Sequence, residues 1–300
     1  MPRPTPEFQS DTIGKPQILL GAGDLLSNYD VLFCDVWGVM HDGLTAYQGA
    51  THALQQFRKD GGTVILVSNA PVPKERVARM LELRNVPTDT WDEIVSSGDL
   101  ALRHISDKGY NQFYNIGPPD RDAALFSRLP GDSVALDRAH AIVATGFNDD
   151  VGETAEDYRA LLEKAKKKEL PFVCANPDKY VDVGGKLYLC AGAIADLYEE
   201  MDGEVFWAGK PHASTYHTAH QDAEKLRDDT VAWNKILVIG DALRTDLVGA
   251  QNVGLDALFV AGGIHRDDVV ENGLIVPDKL EKLFNNKAPP ALGAMAELRW

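Results

Sequence analysis

The sequence predicts an α/β fold: a parallel sheet covered by helices on both faces, with a second α/β unit inserted into it. Three observations predict this. Apolar runs of four residues, each stopped by a polar residue or glycine, recur along the chain. Stretches of helical period lie between them. The pattern is interrupted between residues 110 and 203 by a segment with strands and helices of its own.

Taken in order, Val31-Leu32-Phe33-Cys34 stops at Asp35, Val64-Ile65-Leu66-Val67 stops at Ser68, and Ile236-Leu237-Val238-Ile239 stops at Gly240-Asp241. Short aliphatic runs bounded in this way read as strands buried on both faces. Helical period runs from Gly49 to Lys59, Lys74 to Arg84 and Ser214 to Arg227. Strand alternating with helix makes a parallel sheet covered on both sides. Ligands of such sheets bind beyond the carboxyl ends of the strands, near the switch in strand order. Asp35, Ser68 and Asp241 are therefore expected to converge on one pocket.

The middle segment has strand candidates at Phe113 to Ile116, Ala139 to Ala144, Phe172 to Ala175 and Leu187 to Leu189. It has helix candidates at Thr154 to Lys168 and Ala191 to Met201, the first ending in lysines that suit the negative end of a helix dipole. This is too much structure for a loop. The expected division is an N-terminal extension (1–28), a discontinuous core (29–109 and 204–286), an inserted α/β cap (110–203) and a C-terminal tail (287–300).

Composition narrows the function. Lys and Arg number 30 against 45 Asp and Glu, a net charge of −15. Such a chain has no overall pull toward phosphate backbones or anionic lipid, so neither a nucleic-acid polymer nor a membrane is expected as a partner. Hydrophobic residues at 44% exclude a mainly disordered chain. No apolar run approaches the roughly 18 residues needed to span a bilayer, and the first seventeen residues resemble no signal-peptide core. Cys34, Cys174 and Cys190 each sit among apolar residues. Buried free thiols in a reducing compartment, with a cytoplasmic location, are the expectation.

Four segments carry chemistry in order: Asp35-Val36-Trp37-Gly38-Val39, Ser68-Asn69-Ala70, Gly209-Lys210-Pro211, and Gly240-Asp241-Ala242-Leu243-Arg244-Thr245-Asp246. In these the chain resembles the haloacid dehalogenase-like (HAD) hydrolase superfamily over roughly Tyr29 to Pro277. Asn176-Pro177-Asp178, followed by Ala191-Gly192-Ala193-Ile194, resembles the cap of its subclass IIA, which includes NagD-like and 4-nitrophenyl phosphatases. The resemblance implies a Rossmann-like core and a hydrolase, most often a phosphatase of a small phosphorylated metabolite.

The residues fit that chemistry on their own terms. A carboxylate at Asp35 can attack phosphorus and form an aspartyl-phosphate. A phosphate dianion repels that attacker, so a divalent cation is needed between them. Asp35 and Asp241 offer hard oxygens for Mg²⁺. The resemblance adds the Trp37 backbone carbonyl as a ligand and Asp246 as support for the metal. Lys210 can neutralise the phosphoryl oxygens and steady the nucleophile, while the Ser68 hydroxyl and the Asn69 N–H fit donors to the same oxygens. Each residue taken singly also has a plain structural use, Asp35 as a turn residue, Ser68 as a helix cap and Lys210 as a solvated lysine.

Trp37 departs from the family pattern, which has a second Asp there to protonate the leaving oxygen and activate water. Indole does neither, and general acid–base catalysis is worth about 10²–10⁴-fold. Three readings follow: a phosphatase with a substitute acid, a hydrolase of another bond (phosphonate or haloacid), or a phospho-ligand-binding protein with little turnover. His41 and Asp42 either substitute for the missing acid or only build the turn after Asp35. Trp37 itself either packs on the substrate or walls the site.

The cap should set the substrate. In the stretch Asn176 to Lys186, Lys179 or Lys186 either meets a second anionic group or stays solvated, and Tyr180 either stacks on a ring or packs. A homodimer through the cap is implied by the subclass alone. Gly21-Ala22-Gly23 lacks the third glycine of a dinucleotide fingerprint. His212, His217 and His220 read as a surface helix, and Arg266-Asp267-Asp268 after Gly262-Gly263 reads as a loop opening the last helix.

Overall fold

The computed structural model describes residues 15–183, 186–285 and 288–300. The first fourteen residues of the expected extension and residue 287 of the expected tail lie outside these. The strands in chain order begin with β1 Gln17–Ile18, β2 Val31–Cys34, β3 Thr63–Ser68 and β4 Glu93–Ser96. The inserted segment holds β5 Gln112–Ile116, β6 Asp132–Ser133, β7 Ala141–Ala144, β8 Phe172–Cys174, β9 Tyr180–Val183 and β10 Lys186–Leu189. After these come β11 Val205–Trp207, β12 Ile236–Gly240, β13 Asp256–Val260, β14 Val270–Glu271, β15 Leu274–Ile275 and β16 Gly293–Met295.

One sheet has the order β1-β16-β13-β12-β2-β3-β4, and every pair in it is parallel. From β2 the chain proceeds outward through β3 and β4, whereas β13 and β16 extend from β12 in the other direction. The order thus reverses between β2 and β12, and Asp35 and Asp241 follow those two adjacent strands. This is the switch point at which open α/β sheets bind ligands. All of β2, β3 and β12 is buried, as their unbroken aliphatic runs require.

A second parallel sheet has the order β11-β8-β7-β5-β6. Its strands β5, β7 and β8 fall within the inserted segment, and β11 returns the chain to Gly209-Lys210. β9 and β10 form a separate antiparallel hairpin. The helices follow from the spacing of their apolar residues. Gln48–Lys59 buries Ala50, Ala53, Leu54 and Phe57, one stripe at i, i+3, i+4 and i+7. Ser97–Lys108 starts at Ser96, whose hydroxyl accepts the Asp99 N–H, and stops at Gly109 with φ of 69°. Its Leu100, Ala101 and Ile105 lie in one apolar cluster with Phe33 and Val67 of the first sheet and Phe113 and Val143 of the second. The two sheets therefore share a hydrophobic core rather than hanging on a linker.

Three features differ from the expectation. The segment read as a tail supplies β16, which lies between β1 and β13, and Leu298 beyond it is buried. Gln17–Ile18, inside the expected extension, is the neighbouring strand. Between Arg266–Val269 and the last helix, Pro277–Phe284, the chain adds the small β14–β15 hairpin. All three thiols are free and buried. Among the described residues no helix is long and apolar enough to cross a membrane.

Candidate active site

The carboxyl ends of both sheets meet at one cleft. β2 delivers Asp35, β12 delivers Asp241, and the wide π-helical turn Leu243–Leu247 after it turns Asp246 back beneath them. Such turns inside helices recur at functional sites. The second sheet contributes from its edge strand β11, which ends two residues before Gly209-Lys210. The Lys210 ammonium donates to Asp35 Oδ1 at 2.6 Å and to Asp246 Oδ1 at 2.7 Å. Asp35 Oδ1 also accepts the Val36 N–H at 2.7 Å. Asp241 Oδ2 accepts the Ile264 N–H at 2.7 Å, and Asp246 Oδ2 accepts the Ala242 N–H at 3.1 Å.

Ligand oxygens of Asp35, Asp241 and Asp246 lie within 4.8 Å of one another. Three carboxylates this close repel each other, and burial deepens the cost. Burial, then the Asp246 charge, pushes the Asp35 carboxyl well above the usual range despite Lys210. Burial, then Asp35 and Asp246, likewise raises the Asp241 carboxyl. Burial works against the Lys210 ammonium, yet Asp246 and Asp35 hold it above the usual lysine range. One lysine does not balance three acids, and a set of hard oxygens with surplus negative charge suits a Mg²⁺-like cation. The backbone makes room for the cluster. A Cβ at Gly38, where φ is +80°, or at Gly263 would collide with the Asp241 carboxylate. Gly263, read from sequence as plain loop, is thus part of the acid site's wall.

Ser68 ends β3 and Asn69 follows it, and both are buried at the same end. The Ser68 Oγ accepts the Ala70 N–H at 3.2 Å, which leaves its hydrogen for another acceptor. Asn69 holds the loop that carries Lys210. Its Oδ1 accepts the Lys210 N–H at 2.8 Å, and its Nδ2 donates to the Lys210 carbonyl at 3.1 Å. The same Nδ2 donates to Asp178 Oδ1 at 2.9 Å. Asp178 is a site residue that the sequence reading does not single out, although it contains Asn176-Pro177-Asp178; desolvation raises its half-buried carboxyl. Asp178 and Lys210 bring the second sheet's loops onto the first sheet's site.

The remaining candidates lie elsewhere or face inward. Trp37 sends its indole N–H to the Asp182 carbonyl of the β9–β10 hairpin at 2.6 Å. His41 has no solvent exposure, and its Nδ1 accepts the Gly43 N–H at 2.9 Å. Its Nε2 is buried and has no hydrogen-bond partner among the described residues, and burial, then Arg84, lowers its pKa to about 4. Asn176 turns its Oδ1 toward the Asp178 N–H at 3.3 Å, closing its own loop. Lys179 is ion-paired with Asp196 of the helix Ala191–Glu200, so its charge is already matched. Tyr180 is exposed on the hairpin, and Lys186 lies with its ammonium 4.9 Å from the Tyr188 ring centre. His217 and His220 pack on Trp233, and His212 stacks on Trp207.

Comparison with known proteins agrees with this geometry. A family profile described as haloacid dehalogenase-like hydrolase matches residues 32–127, and one described as HAD-hydrolase-like matches 207–283. The crystal structure of a haloacid dehalogenase-like family hydrolase from Brucella suis 1330 is similar at a TM-score of 0.81 and 38% identity. It covers 94% of this chain and 99% of that one. The ribonucleotide monophosphatase NagD of Escherichia coli K12 is 25% identical over 256 residues, 80% of this chain and 91% of NagD. An acid sugar phosphatase of Staphylococcus haemolyticus is 26% identical over 242 residues, 80% of this chain and 88% of that protein.

Proposed function

The chain belongs to the haloacid dehalogenase-like hydrolase family, subclass IIA, and from that premise we propose that it is a Mg²⁺-dependent phosphatase of a small phosphorylated metabolite. The single observation that carries this reading is the cluster of Asp35, Asp241 and Asp246, the first and last paired with the Lys210 ammonium, at the switch point of the sheet. In this reading Asp35, Asp241 and Asp246, with the Trp37 carbonyl, hold the cation. When bound, Mg²⁺ screens the substrate's negative charge from the attacking carboxylate.

The chain's own residues do the rest. Asp35 is the nucleophile, held in place by the Val36 N–H and by Lys210. Lys210, the Ser68 hydroxyl and the Asn69 N–H bind the phosphoryl oxygens as negative charge builds on them. Asn69 fixes the Lys210 loop through two hydrogen bonds. The related proteins named as ribonucleotide and sugar phosphatases support a phosphate monoester as the substrate class.

Trp37 favours a second reading, a phospho-ligand-binding protein with little turnover, because an indole N–H is spent on the Asp182 carbonyl. A screen of phosphorylated metabolites for Mg²⁺-dependent phosphate release, with Asp35→Asn as control, separates the two. Release that disappears in Asp35→Asn supports the phosphatase. Mg²⁺-dependent ligand binding without release supports the binding protein.

A further inference from the structure

In an in-line displacement the leaving oxygen lies across phosphorus from Asp35, on the side away from the Lys210 ammonium that touches Asp35. A proton donor for that oxygen has to come from the loop after Asp35 or from the hairpin above it. Of the loop's three polar side chains, Trp37 and Asp42 are engaged elsewhere, and His41, whose Nε2 has no hydrogen-bond partner among the described residues, is enclosed without solvent exposure. The Trp37 N–H, its one polar hydrogen, is given to the Asp182 carbonyl at 2.6 Å. The His41 ring is fully buried, with Nδ1 accepting the Gly43 N–H at 2.9 Å and its edge against Trp37 at a centroid distance of 4.8 Å. Asp42 turns outward, its Oδ1 accepting the Leu44 and Thr45 N–H groups at 2.9 and 2.7 Å. Arg84 ties the same turn down through the Gly43 carbonyl at 3.2 Å. A loop cross-braced in this way does not swing a donor into the cleft.

Asp178 comes from the second sheet, but it accepts from Asn69 Nδ2, among the groups proposed to hold the other phosphoryl oxygens. It therefore stands on the Asn69 side of the site, beside the Lys210 loop.

From these contacts we infer that the site takes phosphoryl compounds whose leaving oxygen departs as a stable anion: acyl phosphates, phosphoanhydrides and acidic aryl or enol phosphates. This rests on the phosphatase reading above. The Asp35 carboxylate forms a bond to phosphorus while the phosphorus–oxygen bond to the leaving group breaks, and the bonding pair leaves on that oxygen without a proton. The aspartyl-phosphate then reacts with water. A water oxygen bonds to phosphorus, the bond from phosphorus to the Asp35 oxygen breaks, the carboxylate returns and both water protons end on dihydrogen phosphate or in solvent. The loop offers no more help to that water than to the leaving group, so the second step is the slow one and the phosphorylated protein accumulates.

The test uses the full chain with Mg²⁺ and a series of probes: acetyl phosphate, 4-nitrophenyl phosphate, phenyl phosphate and glycerol phosphate. General acid catalysis is worth about 10²–10⁴-fold, so the first two are expected to react about 10²–10⁴-fold faster than glycerol phosphate. Rapid mixing with 4-nitrophenyl phosphate is expected to give a burst of nitrophenolate equal to the protein concentration, and acid quench to leave phosphate on the Asp35 peptide. Trp37→Asp is expected to narrow the ratio and remove the burst; should that variant not fold, the ratio and burst of the natural chain stand as the test. Comparable rates for glycerol and 4-nitrophenyl esters without a burst overturn the inference and leave the phosphatase reading standing. A ratio that widens in Asp178→Asn or Asp182→Asn also overturns it, by identifying a hairpin or loop carboxyl as the acid. Absence of Asp35-dependent release or labelling from every probe overturns the phosphatase reading itself.

Discussion

On one side of the cleft, Asp35, Asp241, Asp246 and Lys210 arrive from three strand ends and are locked by at least one backbone or side-chain hydrogen bond each. On the other side, Trp37 meets the β9–β10 hairpin through one hydrogen bond, and Tyr180 and Leu187 of that hairpin are 42% and 58% exposed. The first side buries negative charge that costs stability unless a cation balances it. On the second side the loop after Asp35 buries Val36, Val39, Met40 and His41, while the hairpin it meets stays exposed. Chemistry that any phosphoryl compound needs is placed on the rigid switch point of the sheet. The hairpin stands apart from that machinery, joined to the loop after Asp35 by the Trp37 indole.

The largest break in that contrast comes from the nucleophile. Asp35→Asn is expected to cut turnover by about 10³-fold or more with the fold intact, read as phosphate release alongside circular dichroism. Lys210→Met comes next. It leaves Asp35 and Asp246 buried without their shared partner, and breaking a buried pair costs about 3–5 kcal/mol. Urea unfolding without Mg²⁺ measures it, and a loss under about 1 kcal/mol would show that the acids are balanced by something else. Mg²⁺ itself should stabilise the natural chain by about 2.7 kcal/mol at a hundred times its dissociation constant. Thermal unfolding that ignores Mg²⁺ would remove the cation from the site. Gly38→Ala follows, because its Cβ meets the Asp241 carboxylate at a backbone φ of +80°. Strain of this kind costs about 1–3 kcal/mol, and Mg²⁺ affinity should fall with it.

The first side was largely legible in the sequence and the second was not, for a physical reason. Asp35, Ser68 and Asp241 each end an aliphatic run, and parallel strands bring their carboxyl ends together whatever lies between them. Strand β4 has only Ile94-Val95 between Glu93 and Ser96, too short a run to stand out, and β16 is Gly-Ala-Met, a strand by pairing rather than by propensity. Side-chain contacts across large separations leave no spacing signal. Trp37 reaches Asp182 across 145 positions and Asn69 reaches Asp178 across 109. The pairing of Lys179 with Asp196 likewise depends on how the helix Ala191–Glu200 docks, which no local pattern states. Residues whose role follows from the backbone path were readable; residues whose role follows from one long-range contact were not.

The smallest expected effect tests the exposed side directly. Trp37→Phe keeps an aromatic ring beside Gly43 but deletes the N–H that reaches the Asp182 carbonyl. A hydrogen bond of this kind is worth about 0.5–1.5 kcal/mol net. The sheets do not depend on it, since the shared apolar core lies beneath the helix Ser97–Lys108. Global unfolding should therefore move by less than about 1 kcal/mol. The hairpin has less to hold it, and local opening draws on the few contacts a segment has. Its amide hydrogens should exchange about two- to tenfold faster in Trp37→Phe, while amides of β2 and β12 keep their protection. Equal acceleration in both places would mean that Trp37 braces the whole site, and the separation of the two sides would fail. Faster exchange confined to the hairpin would make the indole a latch on substrate access, set two residues from the nucleophile.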